Sequence, residues 1–280
     1  MTIYISTGGF SKKSTDLAIS DLERYGFKNI ELSGGLHKKN LFYTIKNKKL
    51  NFQIHNYFPP PKVPFVLNLA SLDKRIYQKS LNLVLKAINF SHRLGSGYYS
   101  FHAGFLCDVN PSDLGNKIKK KKLNSREICK KIFIKRVSFI AKYANKLDIK
   151  IMIENNVITK NNLKEFGSNP FLMTDPVECK EILKELPRNV GLLIDVGHLK
   201  VSSRTLKFNP KNMFIDCKKR IFGYHLSDNN GKRDTNAPFT KKSWFWKYLD
   251  RSIKYFSIEV YNTSLSKLLK ILKIAEIQLK

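Results

Sequence analysis

Gly191-Leu192-Leu193-Ile194-Asp195-Val196-Gly197-His198 reads as a strand buried on both faces that ends in residues able to do chemistry. Strands of a parallel sheet are covered on both sides, so they read as continuous aliphatic runs and not as an apolar–polar alternation. Ile151-Met152-Ile153, followed by Glu154-Asn155, repeats the pattern upstream. Working outward, further short runs of the same kind alternate with helical periodicity along the whole chain, which is the signature of βα units. The predicted strands are Ile3–Thr7, Asn29–Leu32, Phe52–His55, Tyr98–His102, Lys150–Glu154, Gly191–Asp195, Gly223–His225 and Phe256–Glu259.

Helical spacing with capping and stop signals predicts helices over Ser14–Tyr25, Leu72–Leu94, Ser125–Leu147, Asp175–Leu186 and Ser264–Lys280. Phe208–Lys219 and Lys242–Leu249 give weaker helical signals. Eight strands with intervening helices, and no linker or low-complexity tract, predict one α/β domain over residues 1–280: a (β/α)8 TIM barrel.

The bulk composition bounds the function. No apolar run is long enough to cross a bilayer. The start, Met1-Thr2-Ile3-Tyr4-Ile5-Ser6, lacks the features of a secretion signal, so a cytoplasmic, membrane-free protein is expected. Cys107, Cys129, Cys179 and Cys217 are widely spaced and form no C-x-x-C pair, which argues against a zinc knuckle. The net charge of +29 invites a nucleic-acid partner. Lysine far outnumbers arginine, however, and the abundance of Asn and Ile fits an AT-rich genome better than phosphate recognition, which favours arginine. One cluster, Lys117, Lys119, Lys120, Lys121 and Lys122, follows the fourth strand and would share a face with any site at the strand ends.

Those strand ends carry the chemistry. The third strand closes on His55, the fourth on His102, the fifth on Glu154, the sixth on Asp195 with His198 beyond, the seventh on His225 and the eighth on Glu259. A single acid closing a strand is often a helix cap. Six polar closures in one register are hard to attribute to capping, and in a barrel the strand C-termini converge. Carboxylates mixed with imidazole, without cysteine, suit an open site for Mn²⁺, Zn²⁺, Co²⁺ or Mg²⁺.

Phe101-His102-Ala103-Gly104, Ile153-Glu154-Asn155, Leu193-Ile194-Asp195-Val196-Gly197-His198, Tyr224-His225-Leu226-Ser227-Asp228 and Ile258-Glu259 together resemble the xylose isomerase-like TIM-barrel superfamily over essentially the whole chain. That superfamily holds sugar isomerases, sugar epimerases and abasic-site nucleases of the endonuclease IV type. Resemblance to the ketose 3-epimerase branch implies a metal held by Glu154, Asp195, His225 and Glu259, with Glu154 and Glu259 as an acid/base pair that abstracts a proton next to a metal-held carbonyl. It implies substrate contacts from His55, His102 and His198. Lys232 and Arg233 fall near the place of that branch's arginine, at a different spacing.

Resemblance to the nuclease branch implies a zinc cluster on His55, His102, Glu154, Asp195, His198, His225, Asp234 and Glu259, and Val66-Leu67-Asn68-Leu69-Ala70-Ser71 resembles a segment of it. Two departures count against that branch. Asp234-Thr235-Asn236 places an amide where the nuclease has an imidazole, and Pro59-Pro60-Pro61 interrupts the stretch after His55. The expectation is a metal-dependent isomerase or epimerase of a small carbohydrate, phosphorylated or not, holding one ion or two at most. An abasic-DNA endonuclease is the alternative. Trp244 and Trp246 are expected at the mouth of the site.

Overall fold

In a computed structural model, which describes residues 1–10 and 12–280, eight parallel strands close into a barrel in chain order. They are β1 (Thr2–Ser6), β2 (Asn29–Leu32), β3 (Asn51–His55), β4 (Tyr98–His102), β5 (Lys150–Glu154), β6 (Val190–Asp195), β7 (Ile221–Leu226) and β8 (Tyr255–Ile258). Closure comes from β8 pairing with β1, from Thr2↔Tyr255 to Ile5↔Ile258. The connecting segments form α1 (Thr15–Arg24), α2 (Leu41–Ile45), α3 (Lys74–Arg93), α4 (Arg126–Asn145), α5 (Lys160–Phe166), α6 (Pro176–Glu185), α7 (Val196–Leu206), α8 (Lys211–Asp216) and α9 (Leu265–Leu279).

The strong helix signals have visible causes. Asp73, Ser125, Asp175 and Ser264 each accept backbone N–H groups of the first turn from the cap position, which satisfies donors that the helix itself leaves unpaired. Gly26 and Gly95 take the left-handed conformation just beyond α1 and α3. Two connections differ from the expectation. α7 begins at Val196, directly on the end of β6, because Asp195 is at once the last strand residue and the helix cap. Between β7 and β8 no α-helix forms among the described residues. The segment instead runs over the surface with one 3-10 turn at Trp246–Tyr248.

Alternation along each strand sorts side chains between two cores. Ile5, Ile30, Ile54, Phe101, Ile151, Ile153, Leu192, Ile194, Tyr224 and Phe256 face outward into the main core beneath the helices. Tyr4, Met152, Leu193 and Tyr255 form a separate cluster, the inner floor of the barrel. A third cluster (Val66, Phe105, Cys107, Val109, Ile118, Ile158, Phe166 and Phe171) lies within the connections that follow β3, β4 and β5. Above the floor the inward positions turn polar. Strand register sets His102 beside Glu154 and Asp195 beside His225, while Glu259 follows β8 with its N–H on the Leu226 carbonyl at 3.1 Å. No described helix is long and apolar enough to cross a membrane.

Candidate metal centre

Glu154, Asp195, His225 and Glu259 are all buried, and each offers one ligand atom such that these atoms lie within 4.8 Å of one another. Three close β5, β6 and β7 or lie within them and the fourth directly follows β8, so the barrel itself brings them together. Glu154 is the hub. Its Oε1 lies 3.3 Å from His198 Nδ1 and 3.5 Å from His225 Nδ1, and its Oε2 lies 3.3 Å from His55 Nε2 and 3.4 Å from His102 Nδ1. His55, His102 and Glu154 form a second possible ligand group that shares the carboxylate. His198 Nε2 stands 3.1 Å from Asp234 Oδ2.

Asp195 divides its two oxygens between fold and site. Oδ1 accepts the His198 N–H at 2.7 Å and caps α7, whereas Oδ2 is buried without a hydrogen-bond partner. Both oxygens of Glu154 and the Nδ1 of His225 are likewise buried and unpartnered. Burying polar atoms without partners is costly unless something else satisfies them. Two carboxylates and an imidazole, all with free lone pairs facing one point, fit a divalent cation. The neighbouring groups are already oriented: Asn155 receives the Asp195 N–H on its Oδ1 at 2.9 Å, and its carbonyl lies 2.9 Å from His198 Nδ1.

The electrostatics follow from crowding. Burial would raise Glu154, yet His102, His225 and His55 hold it well below the usual carboxylate range. Burial opposes the charge of Glu259 too, and His225 wins, bringing it down to about 2. Asp195 goes the other way: burial, reinforced by Asp234, Glu154 and Glu259 against the pull of His198, pushes it up to about 7. His102 is lowered to about 4, chiefly by burial.

Two residues of this centre escaped the sequence reading. Glu31, at an inward position of β2, is fully buried, with Oε2 2.8 Å from His225 Nε2. An acid inside the predicted run Asn29–Leu32 was the available signal. Tyr261 donates its hydroxyl to Glu259 Oε1 at 2.6 Å. Gly8 makes room for it, since a Cβ there would lie 2.5 Å from Tyr261 Oη.

The cluster opens into a cavity of about 960 Å³ whose floor includes His55, His102, His198, Asp234 and Glu259. Of the basic pair expected beside it, Arg233 lines the wall, whereas Lys232 is exposed and is not among the lining residues. Asn236 also lines the cavity. In the lysine cluster, Lys117 reaches the rim but pairs with Glu165 at 2.6 Å, and Lys121 donates to the Asp108 carbonyl. The tryptophans correct the expectation. Trp246 is buried, packs tilted against Phe245 and edge-on to Phe239, and donates to the Thr240 carbonyl. Trp244 packs on Phe214 and Tyr248. Neither lines the cavity, because residues 238–249, with no helix to cover the barrel, turn these side chains into the main core.

The family model described as xylose isomerase-like TIM barrel matches residues 19–259. No curated protein matches the sequence. Among solved structures, a D-tagatose 3-epimerase-like protein superposes with a TM-score of 0.73 at 21% identity, covering 99% of this chain and 98% of its own. A Thermus thermophilus protein soaked with ZnCl2 gives 0.63 at 17% identity, covering 99% of both chains. D-psicose 3-epimerase from Clostridium cellulolyticum, solved with D-tagatose, gives 0.64 at 10% identity, covering 100% of this chain and 96% of its own. At such identities the likeness is one of fold.

Proposed function

We propose that this chain, which belongs to the xylose isomerase-like TIM barrel family, is a divalent-metal-dependent isomerase or epimerase of a sugar or sugar derivative. The observation that carries the reading is the set of buried, unpartnered ligand atoms on Glu154, Asp195 and His225, just beneath a substrate-sized cavity that Glu259 itself lines. The epimerases among the structural neighbours support the sugar side of the reading. Glu154, Asp195, His225 and Glu259 would hold Mn²⁺, Zn²⁺, Co²⁺ or Mg²⁺, which when bound draws electron density from a carbonyl oxygen and acidifies the neighbouring C–H.

The protein's own residues move the proton. Glu154 and Glu259 are both held as carboxylates at neutral pH, so either can accept it. If one takes the proton from one face of the carbon, and the other picks up a proton from water and delivers it to the opposite face, the centre is inverted and the first glutamate returns its proton to solvent. Tyr261 keeps Glu259 from rotating by engaging Oε1. His198, fixed through Nδ1 by the Asn155 carbonyl, engages Asp234 through Nε2, and the pair lines the cavity where substrate oxygens would lie. His55, His102 and Arg233 line the remaining wall and orient hydroxyl groups.

The test is deuterium exchange. Metal-loaded protein incubated with a panel of ketoses in D2O should introduce deuterium next to the carbonyl, seen by NMR, with the epimer or isomer appearing. A second reading has one specific observation behind it. The groups His55–His102–Glu154 and His198–Asp234 extend the ligand array as an abasic-site phosphodiesterase would need. An amide oxygen is a poorer zinc ligand than an imidazole, and Asn236 occupies that corner. Incision of duplex DNA at an abasic site, together with three zinc ions per chain and no exchange into any ketose, would replace the first reading with the second.

A further inference from the structure

We infer that Glu31 is the positioning residue for His225, and that from beneath the site it sets the protein's affinity for a divalent ion. This rests on the metal-dependent reading above. Glu31 lies on β2 and His225 on β7, 194 residues apart in the chain, and their side chains meet inside the barrel. Both are fully buried, and Glu31 Oε2 lies 2.8 Å from His225 Nε2. The same oxygen accepts the hydroxyl of Tyr255. A wholly buried carboxylate is expensive to keep without partners, so its presence in the barrel floor calls for a role that an aliphatic residue could not fill.

The arrangement around it is built to hold it still. The Tyr255 ring stacks on Tyr4 with centroids 5.3 Å apart and meets Tyr98 edge-on at 5.6 Å. Gly223, in the middle of β7, gives the ring its space, since a Cβ there would lie 2.7 Å from Tyr255 Cδ1. Tyr255 therefore fixes Glu31, and Glu31 fixes His225. With Nε2–H donated downward, Nδ1 is the nitrogen left with a lone pair for an ion. That Nδ1 faces Glu259 Oε2 at 3.0 Å, Glu154 Oε1 at 3.5 Å and Asp195 Oδ2 at 4.0 Å. A carboxylate on the far nitrogen of a ligating histidine fixes its tautomer and makes it the better donor. Glu31, His55 and His225 could instead hold an ion of their own, as their ligand atoms also gather within 4.8 Å. Glu31 Oε1 is buried without a partner and is the atom that such an ion would use; the two donors already on Oε2, with Nε2 of His225 spent on it, favour the positioning role.

The experiment is titration of Mn²⁺, and separately Zn²⁺, into metal-free wild type, Glu31→Gln and Tyr255→Phe by calorimetry, with thermal unfolding of each metal-free protein. Glu31→Gln should weaken binding by about 10–100-fold at unchanged stoichiometry, without lowering the metal-free melting temperature. Tyr255→Phe should weaken it in the same direction by less. Unchanged affinity with a lower melting temperature would make Glu31 structural and overturn the inference. Loss of one ion per chain would make it a ligand and overturn it equally. If Glu31→Gln does not fold, unchanged affinity in Tyr255→Phe is the overturning result. A wild type that takes up no ion at all would instead remove the metal-dependent reading on which this stands.

Discussion

Asp195 shows at the scale of one residue how the bland and the chemical readings can both hold. Its Oδ1 caps α7 and its Oδ2 faces the site, so Asp195→Asn should keep most of the cap, at a cost within about 1 kcal/mol, while metal affinity collapses. Calorimetry and denaturation separate the two effects. Its pKa gives a direction with pH. In the metal-free protein the Asp195 carboxyl, pushed up to about 7, carries a proton below that pH, and a ligand must lose its proton to bind. Metal affinity should therefore fall by about tenfold or more per pH unit as pH drops below 7, since His225, whose proton Glu31, Glu154 and Glu259 hold against the effect of burial, must shed it too; a flat profile from pH 5 to 8 would contradict this. Glu154→Gln and Glu259→Gln should each reduce turnover by at least about 10²-fold with the fold intact by circular dichroism. The strand-end ligands were legible because each closes an apolar run. Glu31 and Tyr261 were not, since their partners lie 194 residues away in one case and depend on a gap at Gly8 in the other.

At the scale of elements, the strands were legible to within two residues at either end, because β5 and β6 are continuous aliphatic runs and the others are short apolar segments closed by a polar residue. The capped helices were equally plain. α7 was hidden because Gly197, two residues after Asp195, resembles a stop, whereas in the fold it lets the chain pass close to Ser227, whose Oγ would sit 2.6 Å from a Cβ at that position. The loops were the least legible part, since they are held by single polar anchors. Asn68 is one: Oδ1 accepts the N–H groups of Ala70 and Phe105, and Nδ2 donates to the Phe105 carbonyl and to Asp108. It ties the loop after β3 to the loop after β4, which together wall the cavity. Asn68→Ala should cost about 1–3 kcal/mol in urea denaturation and raise KM more than it lowers kcat. A loss of kcat alone would place Asn68 in the chemistry and not in the wall.

For the whole molecule, the net charge of +29 includes exposed lysines at both ends of the barrel. Exposed lysines stand on the cavity side at Lys119, Lys120 and Lys122, and on the opposite rim at Lys28, Lys146, Lys218 and Lys254. A polyanion tracked across one face would call for a one-sided distribution. Replacing Lys119, Lys120 and Lys122 with Gln should leave KM for an uncharged sugar unchanged at low and high salt; a rise confined to low salt would reveal an anionic substrate steered by them. The hydrophobic cluster inside the loops has a different kind of consequence. Because it is separate from the main core, it can melt on its own while the strands stay paired, as local units of a protein commonly do. Amide hydrogens of residues 105–118 should then exchange with solvent together, at one rate faster than that of the barrel strands. Any molecule resting against that cluster would slow them as a group, so the kinetics of loop opening, and not only the chemistry at the floor, would govern how quickly a substrate is admitted and released.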